Sequence, residues 1–106
     1  MSLKAASPDV PALFEAWIDT GFTGEIVLPL AIIQNLGLPQ SGTVSAELAN
    51  REAVIMSTYT CIIGWFGTEQ QIEVVANQGG SPLLGVGLLR GHRLIVDYTS
   101  LTLSID

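Results

Sequence analysis

Cysteine, histidine and basic residues are scarce in this 106-residue chain, which has one Cys, one His and four Lys or Arg. A lone Cys61 forms no disulfide within the chain, and the Cys and His spacings of zinc sites do not occur. His92 has no patterned partner, so no zinc site is expected. A single thiol suits a reducing compartment, and a cytoplasmic location is the expectation. The net charge is −6. Such a surface repels phosphate backbones and gives no grip on anionic lipid, so neither nucleic acid nor membrane is an expected partner.

Long apolar runs are missing too. "IVLPLAII" and "CIIGWF" fall well short of the roughly 20 residues that a membrane helix needs. No charged segment followed by an apolar stretch opens the chain, so no secretory leader is expected. There is no GxSxG and no strand–GxGxxG–helix context, which argues against a serine hydrolase and a nucleotide site.

What remains is an apolar composition, 48% hydrophobic and 13% charged. Its length suits one domain over residues 1–106. Val, Ile, Leu and Thr recur between turns marked by 11 Gly and 5 Pro. That mixture predicts a mainly β chain of about eight short strands with one or two short helices, closed as a barrel or sandwich.

Residues 1–11 are expected to be loosely structured, because Pro8 and Pro11 oppose a central strand. Met1-Ser2-Leu3 is left out of the fold expectation. "ALFEAWID" predicts a strand leading into a turn at Asp19, and "EIVL" a strand leaving it. Pro29 and Gly37 bracket a helix over 29–36, with Leu30, Ile33 and Leu36 on one face. "TVSAEL" and "AVIMSTYTCIIGWF" predict strands around a polar "ANRE" turn, the second broken or bent midway. "QIEVVA" returns after "GTEQ", and "NQGGSP" is a loop. Residues 86–90 suit a helical turn ending at Gly91. "RLIVDY" and "LTLSI" predict a closing hairpin turning at Thr99-Ser100.

Two motifs stand in order on these elements. The first is strand, Asp19-Thr20-Gly21, strand. The second, about 60 residues on, is Leu83-Leu84-Gly85 before a short helix. Taken alone, Asp-Thr-Gly suits a simple turn. The ordered pair resembles the retropepsin-like (retroviral-type) aspartic proteases, and "DTGFTG…LPL…LGL" with "LLGVGLLRGHRLIVDY" looks like their small bacterial single-domain branch. The likeness runs from about residue 13 to residue 105.

The resemblance implies a closed acid-protease β-barrel, one lobe per chain. It implies an endopeptidase that needs no cofactor or metal and acts on a peptide or protein substrate. Enzymes of this kind use two aspartates about 3 Å apart that share a proton, because two like charges so close do not both ionise. One carboxylate activates a water while the other, protonated, polarises the scissile carbonyl. This chain has one such motif, so the partner is expected to be itself. A homodimer would bring the two Asp19 side chains together at a two-fold axis.

By the same resemblance, the Thr20 hydroxyl bonds across the dimer, and Gly21 lets the loops approach while its N–H steadies the carboxylate. Leu83-Leu84-Gly85 packs beneath the acid loop. "TVSAELANREAVIMS" is the flap that covers substrate, which places Leu48, Ala49, Asn50 and Arg51 over it. Ile26, Leu48 and Leu84 would form apolar subsites. The tip "LANREA" has no glycine, but Asn50 can adopt the left-handed turn conformation, which keeps a tight hairpin possible. A non-catalytic dimerisation or peptide-binding module on the same fold is the alternative function, and a β domain unrelated to proteases the third.

Asp9, Asp97 and Asp106 are expected to be solvated or capping carboxylates. Cys61 is expected to be an inert core thiol, and Trp17, Trp65 and Phe66 core or interface aromatics.

Overall fold

A computed structural model describes residues 1–47 and 50–106. The chain is mostly strand with two short helices. The strands are β1 (Ser2–Lys4), β2 (Ala12–Leu13), β3 (Trp17–Ile18), β4 (Ile26–Pro29), β5 (Gln40–Glu47), β6 (Ala53–Trp65), β7 (Thr68–Asn77), β8 (Leu83–Leu84), β9 (Leu94–Asp97) and β10 (Thr102–Ile105). The helices are α1 (Leu30–Leu36) and α2 (Val86–Leu89).

The main sheet has the order β2-β1-β6-β7-β4-β8-β3, with β5 paired to β6. It curls as a half-barrel. Among the described residues it is an open path from β2 to β3, rather than the expected closed cylinder. β9 and β10 form a separate two-stranded sheet.

Residues 1–11 are not loose throughout. β1 pairs with β6 on one side and β2 on the other, inside the sheet. Leu3 is 0% exposed and belongs to the core. Lys4 is buried as well, and its ammonium meets Glu69 at 2.7 Å and donates to the Ser7 carbonyl at 2.9 Å. A buried cation needs such partners.

"ALFEAWID" is interrupted, with only residues 12–13 and 17–18 in strands. β6, by contrast, runs through 13 residues without the expected break. Its long ladder with β7 begins at Trp65↔Thr68 and passes Gly64 without a shift.

α1 occupies residues 30–36, one residue shorter than the expected 29–36, because Pro29 is the last residue of β4. Pro29 precedes it, extended at ψ 140, and Gly37 ends it in the left-handed conformation at φ 67. The Gly37 N–H donates to the Gln34 carbonyl and the Leu38 N–H to the Ile33 carbonyl. This is the Schellman pattern, and Ile33 and Leu38 carry its apolar contact into the core. The core gathers Leu3, Ile26, Leu28, Cys61, Ile63, Val74 and Leu84 between the curled sheet and the two helices.

Trp17 is 72% exposed and Phe66 54%, so neither is a core residue of this chain. Trp65 is half-buried and meets Phe66 edge-on, and Phe66 stacks on His92 at 4.2 Å between centroids.

Candidate active site

β8 lies between β4 and β3 in the sheet. It runs parallel to β3, with Trp17 beside Leu83 and Ile18 beside Leu84, and antiparallel to β4, with Ile26 beside Leu84. The strands that enter and leave the Asp19 loop therefore flank β8. The loop, residues 19–25, has to cross over the end of β8.

Backbone hydrogen bonds fix that crossing. The Asp19 N–H donates to the Leu84 carbonyl at 2.9 Å, and the Phe22 N–H to the Asp19 carbonyl at 3.1 Å. From the other side, Gly85, Val86 and Gly87 donate to the carbonyls of Glu25, Phe22 and Gly24 at 2.8–2.9 Å. Gly85 has no room for a side chain. A Cβ there would overlap Gly24 O and Phe22 Cδ2 and stand 2.7 Å from Phe22 O. Leu83-Leu84-Gly85 thus lies against the acid loop as expected.

Asp19 is half-buried, while Thr20 and Gly21 are exposed. The Gly21 N–H donates to Asp19 Oδ1 at 2.9 Å, which holds one carboxylate oxygen inward. Asp19 and Thr20 stand side by side at this turn, the first half-buried and the second exposed.

A cleft of about 800 Å³ adjoins the loop. Residues 21–25 form one wall and residues 41–47 of β5 another, with Thr58 and Glu73 also lining it. Sequence reasoning missed this polar lining. Ser41 Oγ bonds Thr58 Oγ1 at 2.9 Å and also donates to the Glu73 carboxylate. Glu25 Oε1 accepts from the Glu73 N–H at 3.4 Å. The available signal was the alternation of "QIEVVA", which puts Glu73 on the face opposite Ile72 and Val74. Ile26 and Leu84, expected to line subsites, lie in the core at 0% and 5% exposed.

β5 and β6 form the hairpin assigned to the flap, in register from Thr43↔Ser57 to Glu47↔Ala53. Leu48 and Ala49 lie outside the described residues. At the tip it is Arg51, not Asn50, that takes the left-handed position, at φ 66. Asn50 instead accepts the Glu52 N–H on its side-chain oxygen at 3.0 Å, an Asx turn.

The other carboxylates have local roles. Asp97 Oδ1 accepts the Thr99 N–H at 2.8 Å and the Ser100 N–H at 3.3 Å. Those bonds, that from Thr99 foremost, hold its carboxyl below the ordinary aspartate value. Asp106 pairs with Arg93 at 2.6 Å, and Asp9 caps a turn at the Ala6 N–H. Among the described residues, no three His, Cys, Asp or Glu side chains gather as a metal site, and no helix is long and apolar enough to cross a membrane.

No protein-family model and no curated protein matches the chain.

Proposed function

We propose that the chain is one half of an aspartic endopeptidase, completed by a second copy of itself, with a retropepsin-like lobe as its fold. The observation that carries this reading is the Asp19 loop. A half-buried carboxylate, steadied by the Gly21 N–H, stands on a crossover pinned to β8, and the following residues 21–25 of the same loop line a cleft.

Rigidity matters for such a site, because a catalytic group must be held in place before substrate arrives. The bonds from Asp19 to Leu84 and from Gly85–Gly87 to the loop supply that hold. A single carboxyl cannot take a proton from water and, in the same step, donate one to the scissile carbonyl oxygen. Asp19 from each of two subunits would share one proton. The ionised carboxyl takes a proton from water as the water oxygen attacks the peptide carbonyl. The protonated carboxyl donates to the carbonyl oxygen. Collapse then breaks the C–N bond, and a proton passes to the departing amine.

The β5 wall of the cleft suits an extended peptide, which would lie along residues 41–47 and beneath the hairpin tip at Asn50 and Arg51. Glu25 and Glu73 make one side of that groove acidic, while Phe22, Val44, Met56 and Val75 keep much of the rest apolar.

The test is Asp19→Asn against an unfolded protein substrate. Cleavage should fall by roughly 10²–10⁴-fold or more, the range that positioned acid–base groups supply, while the dimer persists. Undiminished cleavage would rule the mechanism out. A wild-type dimer that cleaves nothing from acid to neutral pH, and binds no pepstatin-type inhibitor, would instead establish the non-catalytic module.

A further inference from the structure

We propose that Glu25 and Glu73 form a subsite for a basic side chain, so that the cleft takes peptides carrying arginine, with lysine second. This deepens the reading above and rests on it, because that reading lays the substrate in this cleft.

The floor of the cleft is one face of the main sheet. Residues side by side in a ladder share a face, and so do residues two apart on a strand. Thr58 stands beside Val75 on one side and Gly42 on the other, and Met56 beside Val44. Val27 stands beside Val75 in the parallel pair of β4 and β7. Glu73 lies two residues before Val75, and Glu25 two before Val27. All of these face one way, opposite to Ile26, Ile72 and Val74 in the core.

The β4–β7 ladder begins with Ile26 beside Val74. One step earlier the same register sets Glu25 abreast of Glu73, whose N–H donates to Glu25 Oε1 at 3.4 Å. Like charges abreast are unfavourable unless a cation offsets them. The charged side chains that line the cleft are Glu25, Glu47 and Glu73, all carboxylates. The two ion pairs among the described residues, Lys4 with Glu69 and Arg93 with Asp106, lie outside it. The offsetting cation therefore arrives with the ligand.

The acceptors are oriented in advance. The Ser41 hydroxyl has one proton and gives it to the Glu73 carboxylate, so the hydroxyl of the buried Thr58 donates to Ser41 Oγ at 2.9 Å. Ser41 thus takes up one oxygen of Glu73, and the Glu73 N–H one oxygen of Glu25, which leaves one of each to a ligand. Two neighbouring acceptors suit the planar N–H fork of a guanidinium better than the compact ammonium of lysine. On the same face follow Val75, Met56 and Val44. Basic side chains lay their methylene stems along such apolar surface while the charged head meets the carboxylates. A calcium ion is poorly served, since it takes roughly six to eight oxygens. Among the described residues no third His, Cys, Asp or Glu gathers with the pair.

The probe is a set of short neutral peptides with one arginine moved stepwise along the sequence, each beside a copy with citrulline in its place. Citrulline keeps the shape and loses the charge. Wild type should favour arginine over citrulline at one fixed position by roughly ten- to a hundredfold in kcat/KM, the scale of a hydrogen-bonded charge. In Glu25→Gln/Glu73→Gln that ratio should fall toward one. A wild-type ratio of one at every position would overturn the proposal, as would a folded double variant that keeps the wild-type ratio. Should the double variant not fold, salt decides, because a preference between charges shrinks as ionic strength rises. A ratio untouched by salt would then overturn the subsite. The peptidase reading fails separately. Asp19→Asn should bind the arginine peptide over its citrulline copy, read by fluorescence anisotropy, although it hydrolyses neither. A wild type that binds with this preference and cleaves nothing would leave the subsite standing and remove the peptidase. Where nothing is cleaved, equal binding of the two peptides, or none, overturns the subsite as well.

Discussion

The backbone N–H of Asp19 donates to the carbonyl oxygen of Leu84 across 2.9 Å, which ties the candidate catalytic residue to a strand about 65 positions away. The acid loop is thus placed by β8 and not by its own turn alone. The contact works only because Gly85 follows. Its absent side chain leaves room for the carbonyls of Phe22 and Gly24 to accept from Val86 and Gly87.

Gly85→Ala should therefore be costly. The added methyl meets backbone on two sides, which cannot rotate away as a flexible side chain would. Overpacking typically costs about 1–3 kcal/mol, and the upper end or beyond is expected here. Gly80→Ala is the control, because its Cβ would meet nothing within 4 Å, and such surface changes stay within about 0.5 kcal/mol. Urea denaturation of the two variants checks the contrast. Equal costs would show that the crossover is not the constraint described.

Leu3→Ala should destabilise the chain by about 2–5 kcal/mol, the usual range for truncating a fully buried leucine. The expectation drawn from Pro8 and Pro11 alone, a loose N-terminal segment, predicts almost no change. Chemical denaturation separates the two, since one expects a large shift in midpoint and the other none.

That N-terminal strand marks where sequence reading stopped. α1 was legible because Pro29 and Gly37 are local signals that act within the helix they bound. β9 and β10 were legible because each alternates around a turn that Asp97 caps through its own neighbours. β1 is three residues long, and its place depends on Ile62–Gly64 some 60 residues away. Nothing local in "SLK" encodes that pairing, and a lysine reads as exposed until Glu69 is seen beside it. The candidate site divides in the same way. Asp19-Thr20-Gly21 and Leu83-Leu84-Gly85 were visible as motifs. Glu25, Ser41, Thr58 and Glu73, which line the cleft, come from four separate segments and meet only on folding. Leu84 and Ile26 were misplaced towards the cleft because an apolar residue beside a site looks alike whether it faces substrate or core.

Cys61 should be silent to thiol reagents in the native state and react fully once unfolded. It is 0% exposed, and burial pushes its thiol up to about 11, outweighing smaller opposing effects of the Lys4 and Ile62 backbone. The sign follows from which state loses its proton first. An unfolded thiol ionises near its ordinary value of 9.0, whereas the native thiol stays neutral to about 11. Its contribution is fully present below pH 9 and is lost as pH rises from there through 11. The loss approaches about 1.4 kcal/mol per pH unit across that window. Cys61→Ala should flatten this part of the stability–pH profile, and an unchanged slope would refute the assignment.

The flap tip gives the last prediction. Arg51 holds φ 66, a region that costs a residue with a Cβ roughly 1–2 kcal/mol over the right-handed alternative. Glycine takes that conformation without the clash, yet gives back about 0.5–1 kcal/mol through its freer unfolded chain. Arg51→Gly should thus be neutral to slightly stabilising, by up to about 1.5 kcal/mol on these two terms. Arg51→Val should cost more than 1 kcal/mol, since a β-branched side chain fits that region worst. The Asn50 side chain, bonded to the Glu52 N–H, holds the same turn, so Asn50→Ala should loosen it whichever residue stands at 51. Amide exchange along β5 and β6 distinguishes a loosened tip from a loosened hairpin. A tip effect raises exchange at residues 50–53 alone, because the hairpin below keeps its own ladder from Glu47↔Ala53 to Thr43↔Ser57 and β7 backs β6 from Thr58 onward. If Arg51→Gly also leaves KM unchanged in a chain that cleaves peptide, the left-handed arginine serves the turn and not the substrate.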